Sequence, residues 1–403
     1  MRITTEFFKP GKLSVVMDGQ YGSSGKGKMS SYLGEKCDNW QFAINAFMSN
    51  AAHTVISQHG KFGYQCLNSV AYLTSKYEKT YICGGAVTEL EPLFREIEEN
   101  RVKPGQLGIH PLVAVVTQKD IDYERGACSF EGEPKPESVI SDNMTFGSTL
   151  HGVGAARARR ILRRKDVLLA RDIPELAPYI CDTRKEILDR LDAKQAGLLE
   201  IAQGYTLGYL EDRFYPKTTS RNCTVSAALD DCGIPPFYVG NVLINLRTYP
   251  IRVSSDKWTD DKGRILKYRE AVKLQKEGHR VNHIKGDSGK VYEDQKELTW
   301  EELTLMHGHS TPLYEESTLT QNPRRVFTFS KQNVRDAVRH NLPPEGNELI
   351  LSLNFINYAC PTFDPATGTQ AAGWIKDNMP EEHISRLKLL GYGAHTGETL
   401  EII

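Results

Sequence analysis

The chain has 403 residues, 39% of them hydrophobic, and its 50 basic and 51 acidic side chains leave a formal charge of -1. That size and apolar content suffice for a large core, while the balanced charge gives no global attraction to nucleic acid and no run approaches membrane-spanning length. Residues 1–6 hold no apolar signal core, and the eight cysteines (Cys37, Cys66, Cys83, Cys128, Cys181, Cys223, Cys232 and Cys360) follow neither C-x-x-C nor metal-ligand spacing, so a cytoplasmic protein with reduced thiols is expected.

The first element in chain order is an apolar strand at 13–17. It runs into the turn Asp18-Gly19-Gln20-Tyr21-Gly22-Ser23-Ser24-Gly25-Lys26-Gly27-Lys28, which opens a helix. Such a turn aims successive N–H groups and the positive end of a helix dipole at one point, where a phosphate can sit. The spacing is not that of an ordinary P-loop: Gln20 stands where the first glycine belongs, and Gly27 follows Lys26 where a magnesium-binding hydroxyl belongs. A tight connection would also use glycines. Two lysines at alternate positions, the preceding strand, and His53 flanked by Asn50 and Thr54 favour the phosphate cradle.

Short apolar segments at 42–47, 80–83 and 112–116 read as further strands, with Leu90, Leu93, Phe94 and Ile97 at helical spacing between them. This alternation predicts an α/β fold with a central, mostly parallel sheet flanked by helices. Residues 130–144 read as an exposed loop. A second glycine-rich turn, from Gly147 to Gly154, precedes Arg157, Arg159, Arg160, Arg163, Arg164 and Lys165, which by charge alone fit a solvated helix face. A charged helix follows at 182–191, then a strand at 198–201 delivering Ala202-Gln203-Gly204, and a polar loop at 215–222 before a helix starting near Thr224. A strong strand at 242–249 leads to Pro250-Ile251-Arg252-Val253, whereas 254–289 reads as polar surface. Thr299-Trp300-Glu301-Glu302 has the form of a capping box, and a helix at 333–340 precedes a strand at 349–355.

Gly22-Ser23-Ser24-Gly25-Lys26-Gly27-Lys28 followed by Asn50-Ala51-Ala52-His53-Thr54 resembles the adenylosuccinate synthetase family, whose pattern is Gly-Asp-Glu-Gly-Lys-Gly-Lys and then Asn-Ala-Gly-His-Thr. Ser23 replaces the family's catalytic aspartate, a feature of the phage-type branch that makes 2-aminoadenylosuccinate from dGMP. Family motifs recur in order from Gly19 to Thr399, which implies a single domain over residues 1–403, with a P-loop-like nucleotide site and smaller subdomains. By this resemblance Ser23, Lys26 and His53 are catalytic. The donor nucleotide falls to Ser23, Ser24, Gly25, Lys26, Gly27, Lys28, Ala52, His53 and Thr54, then to Asn354, Phe355, Gly391 and Gly393, with magnesium on Ser23 and Ala52. The dGMP substrate falls to Ser23, Asn50, Ala51, Ser148, Thr149, Gln203, Thr219 and Val253, with Arg163 lent to a neighbouring subunit, so a homodimer is implied.

Thr318-Leu319-Thr320-Gln321-Asn322-Pro323-Arg324-Arg325 resembles the family's aspartate-binding loop and places L-aspartate on Thr318, Thr320 and Arg324, because arginine's planar fork suits a carboxylate. Asn322 stands where the first family arginine is expected, which puts more of the dicarboxylate on Arg324. Phe355 occupies the position of the aspartate that accepts hydrogen bonds from guanine of GTP. A phenyl ring cannot accept them, and an unpaired buried donor costs about 1–3 kcal/mol, so ATP or dATP is the expected phosphoryl donor. Three readings follow: ligation of L-aspartate to dGMP, ordinary adenylosuccinate synthesis from IMP, or nucleotide binding without turnover. Retained Lys26, His53 and Arg324 favour an enzyme, and Ser23 with Phe355 favours dGMP.

Overall fold

The computed structural model describes residues 3–135, 148–254, 256–284, 287–317 and 321–402. The expected roles of Gly147, Thr318 and Thr320 therefore lie outside the described residues. The strand that opens the phosphate turn, β1 (Leu13–Asp18), is buried at every position. Its side chains alternate between two cores: Leu13, Val15 and Met17 join one cluster, and Val16 joins the other with Met29, Leu33, Leu243 and Ile350. A strand buried on both faces reads as a mostly apolar run, here broken only by Ser14 and by Asp18 at its end.

Around β1 stands a nine-stranded sheet. Its other strands, in chain order, are β2 (Phe42–Asn45), β3 (Lys79–Ile82), β4 (Leu107–Ile109), β5 (Gly197–Glu200), β6 (Val239–Arg247), β7 (Leu349–Asn354), β8 (Leu387–Gly391) and β9 (Thr399–Glu401). In space the order is β9-β8-β7-β6-β1-β5-β2-β3-β4. Neighbours run parallel except β8 and β9. The chain leaves β1 toward one half of the sheet and returns to the other through β6, so β1 marks the switch point, where α/β sheets open a crevice at the carboxyl ends of their strands. Register brings three pairs to that edge: Val16 lies opposite Glu200, Asp18 opposite Asn245, and Arg247 opposite Asn354.

Three expectations change. The segment at 112–116 contributes only Ala114–Val115, paired with Val87–Thr88 in a separate two-stranded sheet, while the central sheet takes the shorter β4 instead. The strand expected to reach Phe355 stops at Asn354, because Phe355 turns into the left-handed region at φ 60°. The polar stretch 254–289 folds into a three-stranded antiparallel sheet (Lys257–Thr259, Ile265–Leu266 and Asn282–Ile284) with the helix Tyr268–Lys276. Trp258 anchors it between Tyr268 and His283. The Thr299–Glu302 capping box is present, and all eight cysteines are free thiols. Among the described residues no helix is long and apolar enough to cross a membrane.

Candidate active site

The turn after β1 is held from inside by a carboxylate. Asp18 accepts hydrogen bonds from the N–H groups of Gln20 (2.7 Å), Gly22 (3.3 Å) and Ser24 (3.0 Å) and from the Ser24 hydroxyl. Gly22, Ser23 and Gly25 all take positive φ (88°, 56° and 94°), and Gly25 caps α1 (Lys26–Lys36). Only at Ser23 does a side chain carry that strain, of a kind that concentrates at functional sites. The first N–H groups of α1, on Lys26, Gly27 and Lys28, find no partner among the described residues. They form the open positive end of the helix. Gly27 lets the loop approach His53: a Cβ there would lie 3.0 Å from the Thr54 carbonyl oxygen and 3.3 Å from the His53 Cβ.

Both lysines of the turn are buried. Lys26 Nζ lies 3.6 Å from Asp18 and donates to the Gln203 carbonyl at 2.7 Å. Lys28 Nζ donates to the carbonyls of Gly393 and Glu398, each at 2.7 Å, and burial pulls its pKa down to about 7. His53 donates through Nδ1 to Glu200 at 2.7 Å, leaving Nε2 as the nitrogen available to the site. Burial alone would raise the fully buried Glu200 carboxyl, but His53 and bonds from the Ser69 N–H and hydroxyl hold it below the ordinary carboxylate range.

The expected donor-nucleotide residues converge on one place. Asn354, at the end of β7, keeps a buried side-chain oxygen that has no partner among the described residues. A Cβ on Gly25 would lie 3.2 Å from its amide carbon, and one on Gly391 would collide with the same side chain and come within 3.0 Å of Lys28 Nζ. Phe355 presents its ring to the guanidinium of Arg247 at 3.8 Å. Arg247 is fully buried, donates to the Ser23 carbonyl at 3.0 Å and pairs with Glu315 at 2.5 Å. One arginine thus ties the Ser23 turn to Phe355.

On the opposite side, Gln203, at φ 65°, donates from its amide to Asn50 at 3.2 Å. Gly204 presses on the turn so closely that a Cβ would lie 2.2 Å from the Gln20 carbonyl oxygen and the Gly22 nitrogen. Ala51 and Ala52 are half-buried and Thr54 is exposed. The Thr219 hydroxyl is buried and has no partner among the described residues. Val253 pairs with Arg324 across two antiparallel strands, which joins the expected dGMP and aspartate positions. Burial works against the charge of Arg324, and neighbouring Glu315 supports it.

The second glycine-rich turn behaves differently. Gly152, at φ 77°, caps α2 (Val153–Ile161), but the N–H groups of Gly152, Gly154 and Ala155 donate to Glu124 at 2.9, 2.9 and 3.3 Å. Ser148 also points its hydroxyl toward Glu124, at 3.5 Å. Any phosphate here is left to side chains such as those of Ser148 and Thr149. The arginines of α2 are not a solvated face: Arg157 pairs with Asp231, Arg159 with Asp120, and Arg160 donates to the Gly84 carbonyl. Arg163, just past the helix, is exposed at φ 53° and forms no ion pair among the described residues.

Asp18, Glu200 and Arg247 went unpredicted as site residues. Each is a charged side chain inside or ending an apolar strand, a placement rare without a partner, and that contrast is the signal that could have found them. Magnesium prefers hard oxygens and commonly takes only one or two from protein, the rest coming from phosphates and water. The Ser23 hydroxyl, exposed and not hydrogen-bonded among the described residues, and the Ala52 carbonyl are such donors. No group of three or more metal-binding side chains occurs among the described residues. The donor set fits an ion carried largely by a nucleotide's phosphates.

Comparison with known proteins agrees with this geometry. The profile of the family described as adenylosuccinate synthetase matches residues 15–173 and 165–291. The N6-succino-2-amino-2'-deoxyadenylate synthase of Acinetobacter phage SH-Ab 15497 is 30% identical over 376 residues, spanning 86% of this chain and 84% of that protein. The synthase of the same name from Vibrio phage phiVC8 is 30% identical over 358 residues, spanning 87% of each. The solved succinoaminodeoxyadenylate synthetase of cyanophage S-2L, bound to dGMP and to dATP as an energy donor, superposes with a TM-score of 0.71 at 26% identity, covering 96% of this chain and 94% of that one. The fully ligated adenylosuccinate synthetase of Plasmodium falciparum shares the fold, with a TM-score of 0.69 at 14% identity. The chain belongs to the adenylosuccinate synthetase family.

Proposed function

We propose that this protein ligates L-aspartate to C6 of dGMP, using ATP or dATP, to give N6-succino-2-amino-2'-deoxyadenylate. The observation that carries the reading is Ser23: a short, exposed hydroxyl stands in place of a carboxylate in a phosphate loop that otherwise keeps Lys26, Lys28 and the open helix terminus. Guanine differs from hypoxanthine by a 2-amino group beside N1, and the shorter side chain leaves space for it. Phe355 supports an adenine donor, because its ring offers no acceptor to guanine. The named phage relatives and the dGMP and dATP of the cyanophage structure support the same substrates.

The chemistry takes two steps. O6 of the purine attacks the γ-phosphorus, the bond to the β-phosphate oxygen breaks, the N1 proton leaves, and ADP or dADP departs. The aspartate amine then bonds to C6 as phosphate leaves. Lys26 and the free amides of α1 hold the transferring phosphoryl group, a largely electrostatic task. His53, oriented by Glu200, donates to the leaving oxygen. Ser23 relays the N1 proton to a phosphate oxygen, since a serine hydroxyl is too weak a base to keep it. Ser23 and the Ala52 carbonyl would hold magnesium, whose chemistry there is to screen charge on the phosphates. Gln203 and Thr219 bind the nucleotide, and Arg324 takes the aspartate carboxylate. The chain works as one domain in a homodimer, with Arg163 entering the neighbouring site in the host cytoplasm.

Phosphate release, with dGMP, GMP and IMP crossed against ATP, dATP and GTP in magnesium and aspartate, tests the assignment. Turnover with dGMP and an adenine donor is expected. Turnover confined to IMP and GTP would overturn it, and absence of turnover in every combination would leave a binding protein.

A further inference from the structure

Lys257 has no part in the site described above. It opens the strand Lys257–Thr259 in the 254–289 segment, and only 5% of it is exposed. A buried ammonium is unfavourable unless an anion accompanies it. Among the described residues its Nζ has one hydrogen-bond partner, the Ser148 carbonyl oxygen at 2.8 Å, and no carboxylate lies within ion-pair distance. Asp256 beside it pairs with His283 at 3.4 Å, and Glu124, on the far side of Ser148, is bonded to the amides of α2. Burial pulls the Lys257 pKa down to about 8, with no charged neighbour opposing the shift.

A second, independent observation lies on the neighbouring loop. The Thr219 hydroxyl is buried and has no partner among the described residues. Its neighbour Ser220 borders α2, its hydroxyl lying 3.6 Å from where a Cβ on Gly154 would stand. A chain of contacts connects the two groups: Lys257 bonds to Ser148, Ser148 and Gly154 both meet Glu124, and Gly154 borders Ser220. An uncompensated cation and a spare hydroxyl thus flank the same end of α2, a combination that fits a phosphate monoester. Glu124 occupies the amides of Gly152, Gly154 and Ala155, so the charge for that anion comes from Lys257.

We propose that Lys257 binds the 5'-phosphate of the substrate nucleotide, so that the small 254–289 subdomain completes the acceptor site. The inference rests on the dGMP reading for the nucleoside, but its own content is the phosphate contact. Calorimetry with dGMP and with deoxyguanosine, on the unaltered protein and on Lys257→Met, separates the two. Loss of a charge-assisted bond at a buried site predicts dGMP binding weaker by about tenfold to a hundredfold, with deoxyguanosine and ATP binding unchanged and Lys257→Arg restoring most of the loss. Equal dGMP affinity in Lys257→Met, or parallel loss of deoxyguanosine, would overturn the proposal. Binding of IMP in place of dGMP, with the same dependence on Lys257, would uphold the phosphate contact while removing the dGMP reading. Should the variants fail to fold, acetic anhydride labelling of the unaltered protein decides: shielding of Lys257 by dGMP but not by deoxyguanosine is expected, and equal labelling with both overturns it.

Discussion

Two glycine-rich turns each end on a left-handed glycine that caps a helix, Gly25 before α1 and Gly152 before α2, and each turn is gathered around a buried carboxylate. The placement of that carboxylate separates them. Asp18 bonds to the turn ahead of the helix and leaves the first amides of α1 open, whereas Glu124 takes the amides of Gly152, Gly154 and Ala155 around the start of α2. An open helix terminus receives an anion through its backbone. A closed one supplies shape, and side chains must supply the charge. Glycine-rich sequence alone does not distinguish the two.

The largest effect should come from the open turn. Lys26 is the buried cation nearest both Asp18 and Gln203, and removing one preorganised donor at a transferring group costs about 10²–10³ in kcat. Lys26→Ala should lower kcat by about that factor with little change in dGMP affinity. Steady-state kinetics checks this, and an unchanged kcat would mean that the open amides act alone. Next comes His53, which borders the same turn. Glu200→Gln removes the charge that orients it, and a loss of tenfold to a hundredfold in kcat is expected, in the range seen for groups that position a functional histidine. KM for the donor should move less than kcat; a loss confined to KM would assign Glu200 to folding of the loop instead.

Much of this site is legible in the sequence where it is contiguous. The residues from Leu13 to Lys28 form strand, turn and helix in one run, so local pattern and chemistry coincide there. Glu200 lies in an equally apolar strand, but its bond to His53 spans 147 positions and crosses from the central sheet to a separate antiparallel pair of strands. Arg247 reaches Phe355 and Ser23 because parallel register sets its strand beside the strands that end at Asn354 and Asp18. Closure of α2 by Glu124 is a tertiary contact that no spacing rule announces. The 254–289 subdomain escaped notice because its strands are two or three residues long, below the length at which periodicity shows.

A smaller effect concerns the closed turn. Glu124→Ala would strip three buried or half-buried amides of their acceptor, and each such loss costs about 1–3 kcal/mol where water cannot enter. Destabilisation of about 2 kcal/mol or more is expected, read as a lower midpoint in urea. Donor binding at the open turn should survive, and its loss would show that the two turns are mechanically one.

The last difference is in protons. In the folded, ligand-free protein Lys28 titrates near 7, below its ordinary 10.5, because burial disfavours the ammonium. The penalty of burying that charge is therefore present below pH 7 and disappears as pH rises toward 10.5, the range in which the unfolded chain holds the extra proton. Donor phosphates favour the ammonium and raise its pKa in the complex. Binding of ATP or dATP between pH 7 and 8 should then take up a fraction of a proton, and affinity should fall severalfold as pH rises across that unit. Calorimetry in buffers of different ionisation enthalpy measures the uptake directly. Lys28→Met should abolish it, and the same uptake in that variant would move the proton to another group.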